Sequence, residues 1–128
     1  MPVQVLSQRI SHGEILALHA RARISIGLSI SDGISVSLLE AMAMGSFPIQ
    51  SCTACADEWI EHGVSGMLVP PEDPDIIEMA IRTALSDDEL VNRAAETNRQ
   101  VVQKRLDSDQ LKQEAIDMYS RILRLQKR

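Results

Sequence analysis

Aromatic side chains are nearly absent from this chain. Phe47, Trp59 and Tyr119 are the whole complement, 2% of 128 residues. With so few stacking platforms and a net charge of −5, the chain lacks both features of a nucleic-acid surface. Its core must be aliphatic, drawn from the Ile, Leu, Val, Ala and Met that dominate the 45% hydrophobic content. Cysteine is scarce as well, with Cys52 and Cys55 forming the segment CTAC. Met1–Pro2 is not followed by a basic-then-apolar leader, so a reducing, cytosolic setting is expected, with both thiols free of disulfide and metal. No apolar run approaches the ~20 residues of a membrane span. His12, His19 and His62 show no metal-ligand spacing, and no metal is expected. The basic residues gather only in the terminal RILRLQKR, which reads as a solvated helix end. The length suits one domain with one core, and no internal repeat is visible.

Alternation dominates what remains. VQVLS (3–7) reads as a strand, and 12–22 as a helix with Ile15, Leu16, Leu18 and Ala22 in an apolar stripe. RISIGLSIS (23–31) alternates without a break. Ile24, Ile26, Leu28 and Ile30 share one face, and Ser25, Gly27, Ser29 and Ser31 the other, where another group can approach closely. Asp32–Gly33 is a turn, and 35–44 is a helix that Gly45 ends. That helix is apolar nearly all round, which predicts burial. FPIQS (47–51) and SGMLVP (65–70) are strands, with a short helix near 56–61 between them. Helices are expected over 75–85, 88–103 and 108–126. Strands alternating with helices imply βαβ units and a mostly parallel α/β sheet.

Two acids interrupt the apolar stretch LSISDGISVSLLEAMAMGSFPIQS (28–51). Burying a carboxylate alone is costly, so Asp32 and Glu40 require partners. Asp32 suits a helix N-cap as well as a functional role. Glu40, the only charge on its helix, points to function and is expected at a cleft with Asp32, above strand 23–31. In parallel α/β folds ligands bind beyond the strand ends, where helix N-termini attract anions. The amides of Ile34 to Ser37 would face such an anion, and a diphosphate would suit them.

DGISVSLLEAMAMGSFPI resembles the nucleotide-sugar signature of group 1 glycosyltransferases, retaining GT-B enzymes whose motif is Glu-x7-Glu. EWIEHGVSGMLVPPEDPDIIEMAI continues the likeness, which covers about residues 3 to 105. The resemblance implies a partial Rossmann-like parallel sheet with flanking helices and a helical C-terminus. It makes residues 1–128 the C-terminal portion of a nucleotide-sugar-binding domain, lacking that domain's first two strands and the acceptor domain. It assigns the donor-sugar hydroxyls to Asp32, which it also makes the catalytic acid. It gives the diphosphate to Gly33, Ile34, Ser35 and Val36, and the ribose hydroxyls to Glu40. A nucleotide-sugar is then the donor substrate, with no cofactor and no metal requirement. The full-length protein is expected in the cytoplasm, free or peripheral to the inner face of the membrane, serving surface polysaccharide or glycoconjugate synthesis. Three departures stand out: Asp32 for the first Glu, Ser35 for a second glycine, and no counterpart of the upstream Arg and Lys that neutralise the donor phosphates. Without its first strands the sheet has open edges, which are association sites for strand 3–7 or for a second copy of the chain.

Other readings are weaker. A receiver-like phospho-acceptor needs acids after its first strand, where Gln8 and Arg9 stand, and a Lys after a later one, where Cys52 stands. CTAC has the position of a thiol-redox pair, but a lone CxxC is a thin signal. A non-catalytic nucleotide or phosphate binder remains the alternative to an enzyme part.

Overall fold

A computed structural model describes residues 3–6, 9–53 and 55–126. Three parallel strands, β1 (Ile24–Gly27), β2 (Phe47–Ser51) and β3 (Met67–Val69), lie in that order across one sheet. The register pairs Gly27 with Gln50 and Gln50 with Leu68. Helices α1 (His12–Arg21) and α2 (Val36–Met44) frame β1, while α3 (Pro74–Ser86), α4 (Asp88–Arg105) and α5 (Ser108–Gln126) follow β3. A single 3-10 turn, Ala56–Glu58, stands where a short helix was expected.

Alternation along β2 explains the layering. Phe47 and Ile49 point into an aliphatic core with Val69 of β3 and Ala80, Ala84, Leu90, Val91 and Ala94 of α3 and α4. Pro48 and Gln50 point the other way, toward α2. A second cluster joins Leu38 and Met42 of α2 to Ala56, Trp59 and Ile60. All five residues of β2 are buried, as the central strand of a sheet covered on both faces must be. Pro48 is tolerated there although it has no N–H to give the ladder.

The caps are legible in residue type. Ser11 and Glu14 form a capping box at α1. The hydroxyl and the backbone N–H of Ser11 hold the Glu14 carboxyl below its usual range. Ser35 caps α2 by accepting from the Leu38 N–H, and Asp73 and Asp87 cap α3 and α4. Gly45 closes α2 in the left-handed region at φ 84°. Gly45→Ala would force an L-residue there, which is expected to cost about 1–2 kcal/mol, read as a lower urea midpoint at unchanged slope.

Three expectations need correction. Residues 3–6 of VQVLS form no strand, and Val3 and Val5 are 82% and 79% exposed; the last residue of that segment, Ser7, lies outside the described residues. A strand needs a ladder partner, and the 3–6 segment has none among the described residues. Strand 23–31 shortens to β1, because past Gly27 the chain leaves β2 and bends. Its apolar face is partly open: Ile24 packs on the core, but Ile26, Leu28 and Ile30 are exposed. Helix α2 is not buried all round either. Leu38, Ala41 and Met42 are buried, while Val36 and Met44 are exposed.

Candidate functional site

The loop from Leu28 to Ser35 leaves the carboxyl end of β1 and delivers the chain to α2. Its root is tied down. The hydroxyls of Ser51 and Thr53 both donate to the Ser29 carbonyl, at 2.7 and 2.6 Å. Its far end is fixed by the Ser35 cap, so the helix start does not use Asp32. Asp32, Gly33, Ile34 and Val36 are all exposed. The N–H groups of Val36 and Ser37 have no acceptor within the helix, so they are available to an anion with the positive end of the helix dipole behind them.

Glu40 lies one turn further along α2 with its side chain 16% exposed. It is neither sealed in the core nor paired with an arginine. His12 Nε2 sits 2.6 Å from one carboxylate oxygen, and His19 Nε2 sits 4.0 Å from the other. The contact continues inward: His19 Nδ1 is 2.8 Å from Ser25 Oγ, which is 2.7 Å from Ser46 Oγ. In sequence these two histidines show only that they lack metal-ligand spacing. Seven residues apart, they fall on one face of α1, two turns from each other. No group of three His, Cys, Asp or Glu able to hold a metal ion occurs among the described residues.

The small face of β1 is approached closely, as its composition predicted. His19 and Ser46 reach Ser25, and the Gln50 amide lies over Gly27. Beside it is a cavity of about 180 Å³ between α2 and the sheet. Asp32 and Glu40 do not line it, contrary to expectation. Glu40 is turned toward α1 by its histidine contacts, and Asp32 lies on the loop beyond the end of β1. The structure thus sets Glu40 and the amides of Ile34 to Val36 on one helix start, with Asp32 on the loop leading into it.

Cys52 and Thr53 of CTAC form a turn after β2, and Ala54 lies outside the described residues. Cys52 and Cys55 are free and exposed, and Cys55 takes the left-handed conformation at φ 50°. His62 Nδ1 accepts from the Leu68 N–H, a role in holding β3 rather than in binding.

Comparison with known proteins places this arrangement. The family model described as "Glycosyl transferases group 1" matches residues 3–101. No curated protein sequence matches the chain. Among solved structures, sucrose-phosphate synthase from Thermosynechococcus elongatus superposes with a TM-score of 0.85 at 21% identity, over 91% of this chain and 29% of that one. HepE of Anabaena in complex with UDP-glucose superposes at 0.78 and 23% identity, over 84% and 30%. The C-terminal domain of a glycosyl transferase group 1 family protein, LpcC, from Francisella tularensis does so at 0.72 and 23% identity, over 79% and 52%. These likenesses establish a Rossmann-like fold of the GT-B kind. The chain spans less than a third of the first two structures.

Proposed function

The chain belongs to the group 1 glycosyl transferases, and from that premise we propose that it is the donor-binding part of an enzyme that transfers a sugar from a nucleotide-sugar. In this reading the diphosphate rests on the amides that lead into α2, from Ile34 to Val36 with Gly33 before them. The ribose hydroxyls donate to Glu40, displacing its imidazole contact. Asp32 takes the sugar hydroxyls and stands nearest the reacting carbon, in a transfer that retains configuration. The observation that carries the proposal is the exposed helix start with one carboxylate before it and another one turn along. Neither acid is engaged by an arginine among the described residues. Nothing in this scheme calls for a metal ion.

The acceptor would be held by a further N-terminal domain, since sucrose-phosphate synthase and HepE are more than three times as long as the region they share with this chain. A hexose donor and a product in surface polysaccharide or glycoconjugate synthesis complete the proposal, with the reaction at the cytoplasmic side. No helix among the described residues is long and apolar enough to cross a membrane. The outer edge of β1 has no described partner strand, so a second copy of this chain is one candidate to cover it.

Calorimetric titration of the 128-residue chain with UDP, GDP and ADP tests the binding step. Weak binding that survives a chelator is expected, with UDP the first ligand to try because HepE was solved with UDP and UDP-glucose. Absence of heat with all three nucleotides would refute the donor site. The same chain is expected to transfer no sugar. A helix N-terminus stabilises an anion by roughly 0.3–1 kcal/mol, up to ~2 when partly buried. Losing one oxyanion donor costs about 2.7–4 kcal/mol, so these amides do not replace the cationic side chains that a departing diphosphate needs. Turnover of a nucleotide-sugar by this chain alone would overturn that division of labour. Binding by a longer protein that never transfers sugar would instead favour a non-catalytic binder.

A further inference from the structure

The cavity between α2 and the sheet carries a feature that the donor site does not use. Gln50 is 3% exposed, and its Nε2 has no hydrogen-bond partner among the described residues. A buried amide donor left unpaired is costly, and native interiors rarely keep one without a reason. Gln50 is one of the residues that line the cavity of about 180 Å³. That volume exceeds what one water occupies, roughly 30 Å³ in the liquid.

The pair Gly27–Gln50 makes the arrangement. The two residues are in register on neighbouring strands, and a Cβ on Gly27 would fall within 2.5 Å of Gln50 Oε1. Only glycine lets the amide cross over β1 and reach the cavity. The other polar walls are His19, Ser25 and the exposed Ser37, and the apolar floor includes Leu38 and Ala41. Neither a carboxylate nor a Lys or Arg lines it. His19 is the one ionisable side chain in the wall, and its Nδ1 already contacts Ser25, so an ion entering would lose its hydration with little countercharge. A neutral ring that carries hydroxyls on its edge and C–H groups on its faces matches both kinds of wall.

We propose that this cavity is a binding subsite for a neutral, hydroxyl-bearing ring, with the Gln50 amide donating to a ligand oxygen and Ser37 at the mouth. The subsite is separate from the donor acids, since Asp32 and Glu40 do not line it. His19 nevertheless touches both, through the cavity wall and through Glu40 at 4.0 Å. A ligand held by Gln50 therefore adjoins one of the two histidines that face Glu40.

Nitrogen-15 NMR of the full 128-residue chain tests this, with the Gln50 side-chain amide assigned by its loss in Gln50→Met. Glucose and ribose serve as neutral ring polyols, inorganic phosphate as the ionic probe, and UDP as the probe of the α2 start. At least one sugar is expected to shift the Gln50 amide and the Ser37 backbone signal saturably, while phosphate leaves the Gln50 amide in place. Gln50→Met should weaken that sugar by about 2- to 10-fold, the worth of one neutral hydrogen bond. Ser37→Ala should also weaken it, and this exposed helix position keeps the test available if Gln50→Met does not fold. No shift with either sugar up to tens of millimolar overturns the proposal, as does unchanged affinity in a folded variant. A shift of the Gln50 amide by phosphate alone also overturns it. Shifts at Glu40 and the α2 start on adding UDP, with neither sugar moving the Gln50 amide, would leave the donor site standing without the subsite.

Discussion

Phe47→Ala is expected to lower the unfolding free energy by about 3–5 kcal/mol, the usual cost of truncating a buried phenylalanine. Domains of this size are stable by only about 5–15 kcal/mol, so the variant should be partly unfolded near body temperature. Phe47 is completely buried and is the largest of the fully buried side chains. Its neighbours across the core include Ala80, Ala84 and Ala94. Alanines cannot swing inward to fill the space a benzyl group leaves, so little of the cavity would collapse. Urea titration followed by circular dichroism should show a lower midpoint at similar slope. A loss below about 1 kcal/mol would mean that the sheet does not depend on its one phenylalanine.

Glu40→Ala should weaken nucleotide binding by about 10- to 100-fold, since a hydrogen bond to a charged group contributes roughly 1.5–3 kcal/mol. Its effect on the unliganded protein should be small. The His12 imidazole that approaches Glu40 is 69% exposed, and ion pairs this open to solvent contribute about 0–1 kcal/mol. A large binding loss with nearly unchanged stability would distinguish a ligand-binding acid from a structural one. Calorimetry with UDP on parent and variant, alongside thermal melts of both, supplies the comparison. Equal affinities would remove Glu40 from the ribose role.

The fold was readable where local pattern and tertiary packing agree. FPIQS forms β2 with the expected bounds, and α5 runs over Ser108–Gln126 as its periodicity implied. Reading failed where a segment's state depends on something outside it. VQVLS alternates like a strand, but alternation cannot provide a neighbour with which to form a ladder. The apolar face Ile26–Leu28–Ile30 says that something should cover it, yet its period does not name the cover. At the site, residue type located Glu40 and the α2 start. It could not show that two histidines on α1 converge on that glutamate, because the angle between α1 and α2 arises from packing. Gln50 was equally hidden. In sequence it is one polar residue in a strand, and its meaning comes from the glycine opposite it in register.

The two hydroxyls on the Ser29 carbonyl have a consequence for how this loop can change over time. With Ser29 pinned to the end of β2 and Ser35 pinned to the start of α2, insertions or deletions between them leave both supports in place. Doubling the length of a flexible loop costs only about 0.6 kcal/mol in closure entropy. New residues could therefore appear around Asp32 without rebuilding the sheet or re-aiming the helix. The frame is rigid at two points and permissive between them, so the segment that would meet the sugar is also the one most free to diverge.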